Sequence, residues 1–379
     1  MTELKIMSDV CFGENSLEAL SRYKNRNIVI YTDPFLAESG MVNAVLEKLD
    51  GNSCHIYTKI APDPSIEQVG ECYKFAKEHN ADLFIAFGGG SAIDTAKAVL
   101  YVDADVSGGK NIELVAIPTT AGTGSEVTDF SVISDTENGV KYPIVDKKMA
   151  PDLAILCAEF TVSVPPKVTA ATGMDVITHL LEAYVSNSAN IITDSVAEKG
   201  LALAFDNIYK AYKEGTDIAA RDNMLMASYL AGVAFNNAGL GITHSIAHGL
   251  GANFHISHGL ANAMVLPHVI AFNSCLDVPF GMDKSVAAQK YATAYSKIGC
   301  EDMGTRLSVM GLIKKINEML RLMKVPVSLS ECGVSREAFE QAKPIIVKSA
   351  LADVCTTYNP RVPEAKNIEN ILDRLYNGM

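Results

Sequence analysis

The sequence predicts an α/β domain with a parallel sheet, followed by an all-helical domain, and three observations carry that prediction. Short β-branched runs alternate with helix-period stretches through the first 150 residues. After about Pro166 the character changes, and Ala, Leu and Met at helical spacing dominate to the end. At 379 residues the chain exceeds the usual size of one hydrophobic core. Two domains, 1–180 and 181–379, are expected to pack directly on each other, because no linker rich in Pro and Ser separates them.

The elements of the first half can be justified in order. "NIVIYTD" (27–33) reads as a strand, 35–49 as a helix, "CHIYTKI" (54–60) as a strand and 65–80 as a helix. "LFIAFGGG" (83–90) is the next strand, a helix starts at Ser91, and "ELVAIPTT" (113–120) follows. The second half reads as helices interrupted by Pro and Gly turns.

Composition narrows the function. Forty-four acidic against 32 basic side chains give a net charge of −12, which disfavours nucleic-acid phosphates and anionic membranes as partners. Eight cysteines without any C-x-x-C pair suit a reducing compartment. The N-terminal "MTELKIMSDVCFGENSLEAL" lacks a secretory pattern, and no run of about 18 apolar residues occurs. A soluble cytoplasmic protein is expected.

Two loops suggest a nucleotide. In "FIAFGGGSAIDTAKAV" (84–99) a strand runs through Gly88, Gly89, Gly90 and Ser91 into a helix, where free N–H groups and the dipole suit a phosphate; the same turn also serves as a plain tight turn. "AIPTTAGTGSEVT" (116–128) then concentrates five hydroxyls, those of Thr119, Thr120, Thr123, Ser125 and Thr128. Asp33, closing an early strand, either accepts the adenine-ribose 2′-hydroxyl, which favours NAD over NADP, or caps the next helix.

The segment "GITHSIAHGLGANFHISHGLAN" (241–262) holds four of the eight histidines and no charged side chain, and its glycines should interrupt a continuous helix. His244 and His248 stand at i and i+4, and His258 can fold back toward them. His255 reads as a bystander and His268 as packing. Upstream, Asp194 and Glu198 are also spaced i and i+4. Together these residues make a mixed O/N set suited to Fe(II), Zn(II) or Mn(II). The alternative is a capped helix, a solvated Glu198 and core histidines.

These stretches, with "FGENSLEAL", "KYPI", "VPPKVTAATGMDVITHLLEAYVS" and "ALADVCTTYNPR", stand in the order found in the iron-containing (group III) alcohol dehydrogenases, which the whole chain resembles. The resemblance implies the dehydroquinate synthase-like fold, a Rossmann-like first domain, and a cleft holding NAD(H) and one divalent metal, Fe(II) foremost. It puts Asp194, His244 and His258 on ligand positions and His248 beside the nicotinamide. Gly88, Gly89, Gly90, Ser91, Asp94, Thr119, Thr120, Thr123, Lys141 and Asp33 fall on the cofactor side.

Glu198 departs from the family, which has histidine four residues after the first aspartate; the subgroup of bacterial microcompartments that the chain resembles most carries glutamate there, so Glu198 is expected as a fourth ligand. The implied activity is reversible reduction of a short-chain aldehyde with NADH, with His248 relaying the proton outward. A polyol dehydrogenase and a metal-free NAD(H)-binding protein without turnover are the alternatives. A homodimer or larger homo-oligomer is the implied assembly, and the resemblance to the microcompartment subgroup implies enclosure in a bacterial microcompartment.

Overall fold

The β-branched runs of the first half form strands because they are buried on both faces, as a parallel sheet covered by helices requires. A computed structural model describes residues 4–137, 140–278, 282 and 285–378, with the side chains of residues 140 and 141 outside that set. The chain divides into two units between Val164 and Pro165.

In the first unit, β1 (Asp9–Phe12), β2 (Asn27–Tyr31), β3 (Ser53–Tyr57), β4 (Leu83–Gly88) and β5 (Glu113–Pro118) join β8 (Leu153–Leu156) in one six-stranded sheet of order β1-β8-β5-β4-β2-β3. Every pairing is parallel, with Tyr31 opposite Ala86 and Gly88 opposite Pro118. A separate antiparallel hairpin is formed by β6 (Phe130–Asp135) and β7 (Val140–Val145). The helices are α1 (Pro34–Glu38), α2 (Met41–Glu47), α3 (Ile66–Glu78) and α4 (Gly90–Ser107). Val29, Phe84 and Leu114 pack on one side of the sheet, against Ile93 and Val99 of α4, and Ile30, Ile85 and Val115 pack on the other.

The expected helix 35–49 is two helices, because Gly40 at φ 79° ends one and starts the next. Strands β1 and β8 and the hairpin escape a reading of local pattern. Each of the first two is only four residues long, and they find one another across more than half of the unit.

Among the described residues the second unit is built of helices: α5 (Pro166–Val185), α6 (Ile191–Lys213), α7 (Ile218–Ala238), α8 (Ile242–Phe254), α9 (His258–Asn273), α10 (Val286–Lys297), α11 (Thr305–Leu322), α12 (Arg336–Ala352) and α13 (Ala365–Asn377). Helix α5 starts at a proline, whose missing N–H costs nothing in a first turn. A boundary at 180 would cut this helix, which lies whole in the second unit. Ile242, Ile246 and Leu250 of α8 pack with Val265 of α9 and Phe339 and Ile346 of α12. Gly249 and Gly251 do not interrupt α8; the chain breaks only after Phe254, where His255 takes φ 54°. Among the described residues no single helix is long and apolar enough to cross a membrane.

Candidate functional site

In the second unit, three helices each turn one i, i+4 pair toward a common point. Helix α5 supplies Asp175 and His179, α8 supplies His244 and His248, and α9 supplies His258 and Asn262. A glycine makes the approach of α9 to α5 possible: a Cβ on Gly259 would stand 2.3 Å from the carbonyl oxygen of Ala171. Donor atoms of Asp175, His179, His244 and His258 consequently all lie within 4.8 Å of one another.

Oδ1 of Asp175 is 3.9 Å from Nε2 of His244 and 3.8 Å from Nε2 of His258. The His179 ring stacks on His244 with centroids 4.7 Å apart. The Asn262 amide nitrogen donates to Oδ1 of Asp175 at 2.7 Å and is 3.1 Å from Nε2 of both His244 and His258. Asp175, His179 and His244 are buried, and His258 is exposed.

Burial, with His179 and His258 beside it, holds the His244 imidazole well below its ordinary pKa, in the neutral form that ligates a metal. Burial pushes the Asp175 carboxyl up, but His179, His258, His244 and the Asn262 hydrogen bond outweigh it and leave the pKa lowered. The set fits a divalent cation. One carboxylate and three imidazoles are a normal mixed donor set, and Nδ1 of His179 is buried without a hydrogen-bond partner among the described residues.

His248 stands at the exposed side of this cluster. Its ring stacks on His258 at 5.5 Å between centroids and 17° between planes, and its Nδ1 is 2.8 Å from Oδ2 of Asp353. Despite its burial, the Asp353 carboxyl is lowered to about 2, chiefly by His248.

In the first unit, the strand order reverses between β2 and β4, with β3 outside β2 and β5 beyond β4. Open α/β sheets bind ligands at the carboxyl ends of the strands flanking such a point. Asp33 follows β2, Gly88 closes β4 with Gly89 and Gly90 after it, and a Cβ on Gly88 would be 3.9 Å from Oδ2 of Asp33. The loop after β5 lies alongside: a Cβ on Gly90 would be 2.9 Å from Cγ2 of Thr123, and Gly89 would meet Thr120 at 3.2 Å.

Profiles of this kind of chain match twice: the iron-containing alcohol dehydrogenase profile over residues 8–157, and the C-terminal profile of the same family over residues 169–376. The chain belongs to the iron-containing alcohol dehydrogenase family. It is 41% identical to 1-propanol dehydrogenase PduQ of Citrobacter freundii, covering 99% of this chain and 100% of that one. To alcohol dehydrogenase 4 of Saccharomyces cerevisiae it is 37% identical, with 96% of each chain covered. A crystal structure of 1,3-propanediol oxidoreductase matches with a TM-score of 0.89 and 30% identity, over 99% of this chain and 100% of that one. The chain is therefore an alcohol dehydrogenase, and the family implies a nicotinamide cofactor and a metal.

Within this dehydrogenase, the residues expected from sequence divide. His244 and His258 meet as expected, with His248 beside them, while His255 is exposed and apart. Asp194 and Glu198 do not reach the cluster. They share a face of α6 as their spacing requires, but Lys290 Nζ donates to Asp194 at 2.9 Å, while Lys297 Nζ at 2.7 Å and Tyr184 Oη at 2.8 Å donate to Glu198. The aspartate with histidine four residues later is Asp175 with His179, so the departure attached to Glu198 disappears.

Asp94 is likewise committed to protein. Its carboxylate accepts Ser125 Oγ at 2.6 Å and the Val132 N–H at 3.1 Å. Buried Lys97 donates to Ser125, Thr128 and the Phe130 carbonyl, each at 2.9 Å, with its pKa lowered to about 8 by burial. Two of the five loop hydroxyls thus face this ammonium, leaving Thr119, Thr120 and Thr123. Asp33 caps α1 through Oδ1, which accepts the Leu36 N–H at 2.9 Å. The side chain of Lys141 lies outside the described residues.

Asp175, His179, Asn262 and Asp353 were not singled out from sequence. A usable signal exists for the first two: no Lys or Arg follows Lys167 before the end of α5, so Asp175 is a carboxylate without a local cation.

Proposed function

We propose that this dehydrogenase reduces a short-chain aldehyde such as propionaldehyde or acetaldehyde to the primary alcohol with NADH, reversibly, around one divalent ion, Fe(II) foremost, held by Asp175, His179, His244 and His258. The observation that carries the reading is the convergence of these four donors, with His179 Nδ1 left without a partner among the described residues. When bound, the ion supplies Lewis acidity toward the aldehyde oxygen and the nicotinamide supplies the hydride.

The chain's own residues do the rest. His248 donates its Nδ1–H to Asp353, which leaves Nε2 to give up or take the alcohol's proton, and its exposure lets that proton exchange with water. The glycine turn with Ser91 and the N-terminus of α4 suits the pyrophosphate, Thr119, Thr120, Thr123 and Lys141 complete the cofactor side, and the second oxygen of Asp33 disfavours a 2′-phosphate.

The metal-free alternative loses its motive, since Glu198 is not needed to complete a donor set. A polyol substrate keeps one supporting observation, the likeness to 1,3-propanediol oxidoreductase. Enclosure in a bacterial microcompartment and a homo-oligomeric state belong to the same proposal, supported by the 41% identity to 1-propanol dehydrogenase PduQ.

The test is a panel of acetaldehyde, propionaldehyde, lactaldehyde and 3-hydroxypropionaldehyde, assayed with NADH and NADPH after loading with Fe(II), Zn(II) or Mn(II). Highest kcat/KM with propionaldehyde or acetaldehyde, NADH and Fe(II) is expected. A preference for lactaldehyde or 3-hydroxypropionaldehyde would replace the substrate assignment, and metal-independent turnover would overturn the centre.

A further inference from the structure

Glu182 stands two turns beyond Asp175 on the donor-bearing face of α5, buried, and no Lys or Arg pairs with it among the described residues. A buried carboxylate without a cation is costly unless hydrogen bonds replace its water. Such bonds come from the start of α8, where the N–H of its N-cap Gly241 is among the donors. Oε1 of Glu182 accepts the Thr243 N–H at 2.7 Å, and its Oε2 is 2.5 Å from Nδ1 of His244.

We propose that Glu182 is the positioning residue that fixes the tautomer of His244, keeping the proton on Nδ1 so that the Nε2 lone pair is turned toward Asp175 and His258. The inference rests on the reading of these residues as a metal centre. A second neighbour demands the same tautomer. The Asn262 amide nitrogen donates to Asp175 at 2.7 Å, which fixes the amide's orientation because a carboxylate only accepts. That nitrogen is also 3.1 Å from Nε2 of His244, so a proton on Nε2 would set donor against donor. Glu182 at one end of the ring and Asn262 at the other therefore select one protonation pattern, the pattern a ligand needs.

The role requires a side chain that accepts at both ends. Glutamine accepts at one end only: with its oxygen kept on the Thr243 N–H, its NH2 group donates to Nδ1 and drives the imidazole proton onto Nε2. In the full chain, Glu182→Gln should bind Zn(II) and Co(II) roughly 10–100-fold more weakly than wild type in chelator competition. Its metal-free form should melt at a somewhat lower temperature, because the proton driven onto Nε2 then opposes the Asn262 amide nitrogen, donor against donor.

A purely structural role lowers the metal-free melting temperature and leaves the affinity unchanged, and unchanged affinity overturns the proposal. Failure of wild type to bind either ion overturns the metal reading itself. Equal binding by wild type and Glu182→Gln, with binding lost in His244→Ala, overturns Glu182 alone. Independently of any variant at 182, long-range 1H–15N correlation on histidine-labelled, metal-free protein should show His244 protonated on Nδ1, with His244→Ala giving the assignment. A proton on Nε2 overturns the inference.

Discussion

Helices α5 and α6 carry the same device, an acidic residue followed four positions later by a second potential ligand, yet the two pairs have different fates. Asp175 and His179 face imidazoles from α8 and α9, and the carboxylate has no Lys or Arg partner among the described residues. Asp194 and Glu198 face α10, where Lys290 and Lys297 neutralise them, with Lys290 also donating to the Tyr184 carbonyl and lying 5.0 Å from the Tyr184 ring centre. Equal spacing makes equal faces. What a face can bind depends on which charges already satisfy it, and an ammonium at 2.7–2.9 Å occupies the place a metal cation would take.

The largest expected effect breaks the first pair. Asp175→Ala or His179→Ala should lose bound metal and turnover by more than the roughly 10–100-fold that loss of an outer hydrogen bond to a ligand costs. Asp194→Ala should keep wild-type metal content and aldehyde reduction. Metal per chain after identical loading decides this, and reversed results would exchange the roles of the two helices.

An intermediate effect concerns a carboxylate half committed to protein. Asp33 uses Oδ1 as a helix cap, while Oδ2 stands near Gly88. Asp33→Ser retains a capping oxygen and removes the charge, so kcat/KM with NADPH should rise relative to NADH, on the order of ten-fold for one close charge pair near a surface. A wild-type preference for NADPH would remove Asp33 from cofactor choice.

The smallest effect sharpens the second pair. Burial raises the Glu198 pKa, but Lys297 and Tyr184 outweigh it, leaving it lowered from the ordinary 4.5. A depressed carboxylate contributes stability that is fully present above its unfolded-state value and is lost as pH falls through the lower folded value. Glu198→Gln should therefore melt slightly below wild type at pH 7, by no more than about 1 kcal/mol for a partly exposed pair, with the gap closing below pH 4.5. Metal content should not change in this variant.

Much was legible before any coordinates. The alternation of β-branched runs with helices named the architecture, because burial of a sheet on both faces imposes it on composition. The two loops after β4 and β5 were readable as strand-to-helix and hydroxyl-rich turns, although the commitment of Ser125 and Thr128 to Lys97 was not. The charge-free segment 241–262 announced His244 and His258, two of the three imidazoles of the cluster. Asp353 stayed hidden because its meaning comes from His248, 105 positions away.

By itself, then, the sequence determined the layering of the first unit, the helical second unit, and the helix faces that carry His244 with His248 and Asp194 with Glu198. Periodicity and charge are local properties, and each helix declares its own face within a few turns. Only the tertiary structure decided which acidic pair joins the histidines, because Asn262 reaches Asp175 across 87 positions and Lys290 reaches Asp194 across 96. Those meetings follow from how α5, α6, α8, α9 and α10 pack, and a repeat of 3.6 residues carries no information about the neighbour a face will meet.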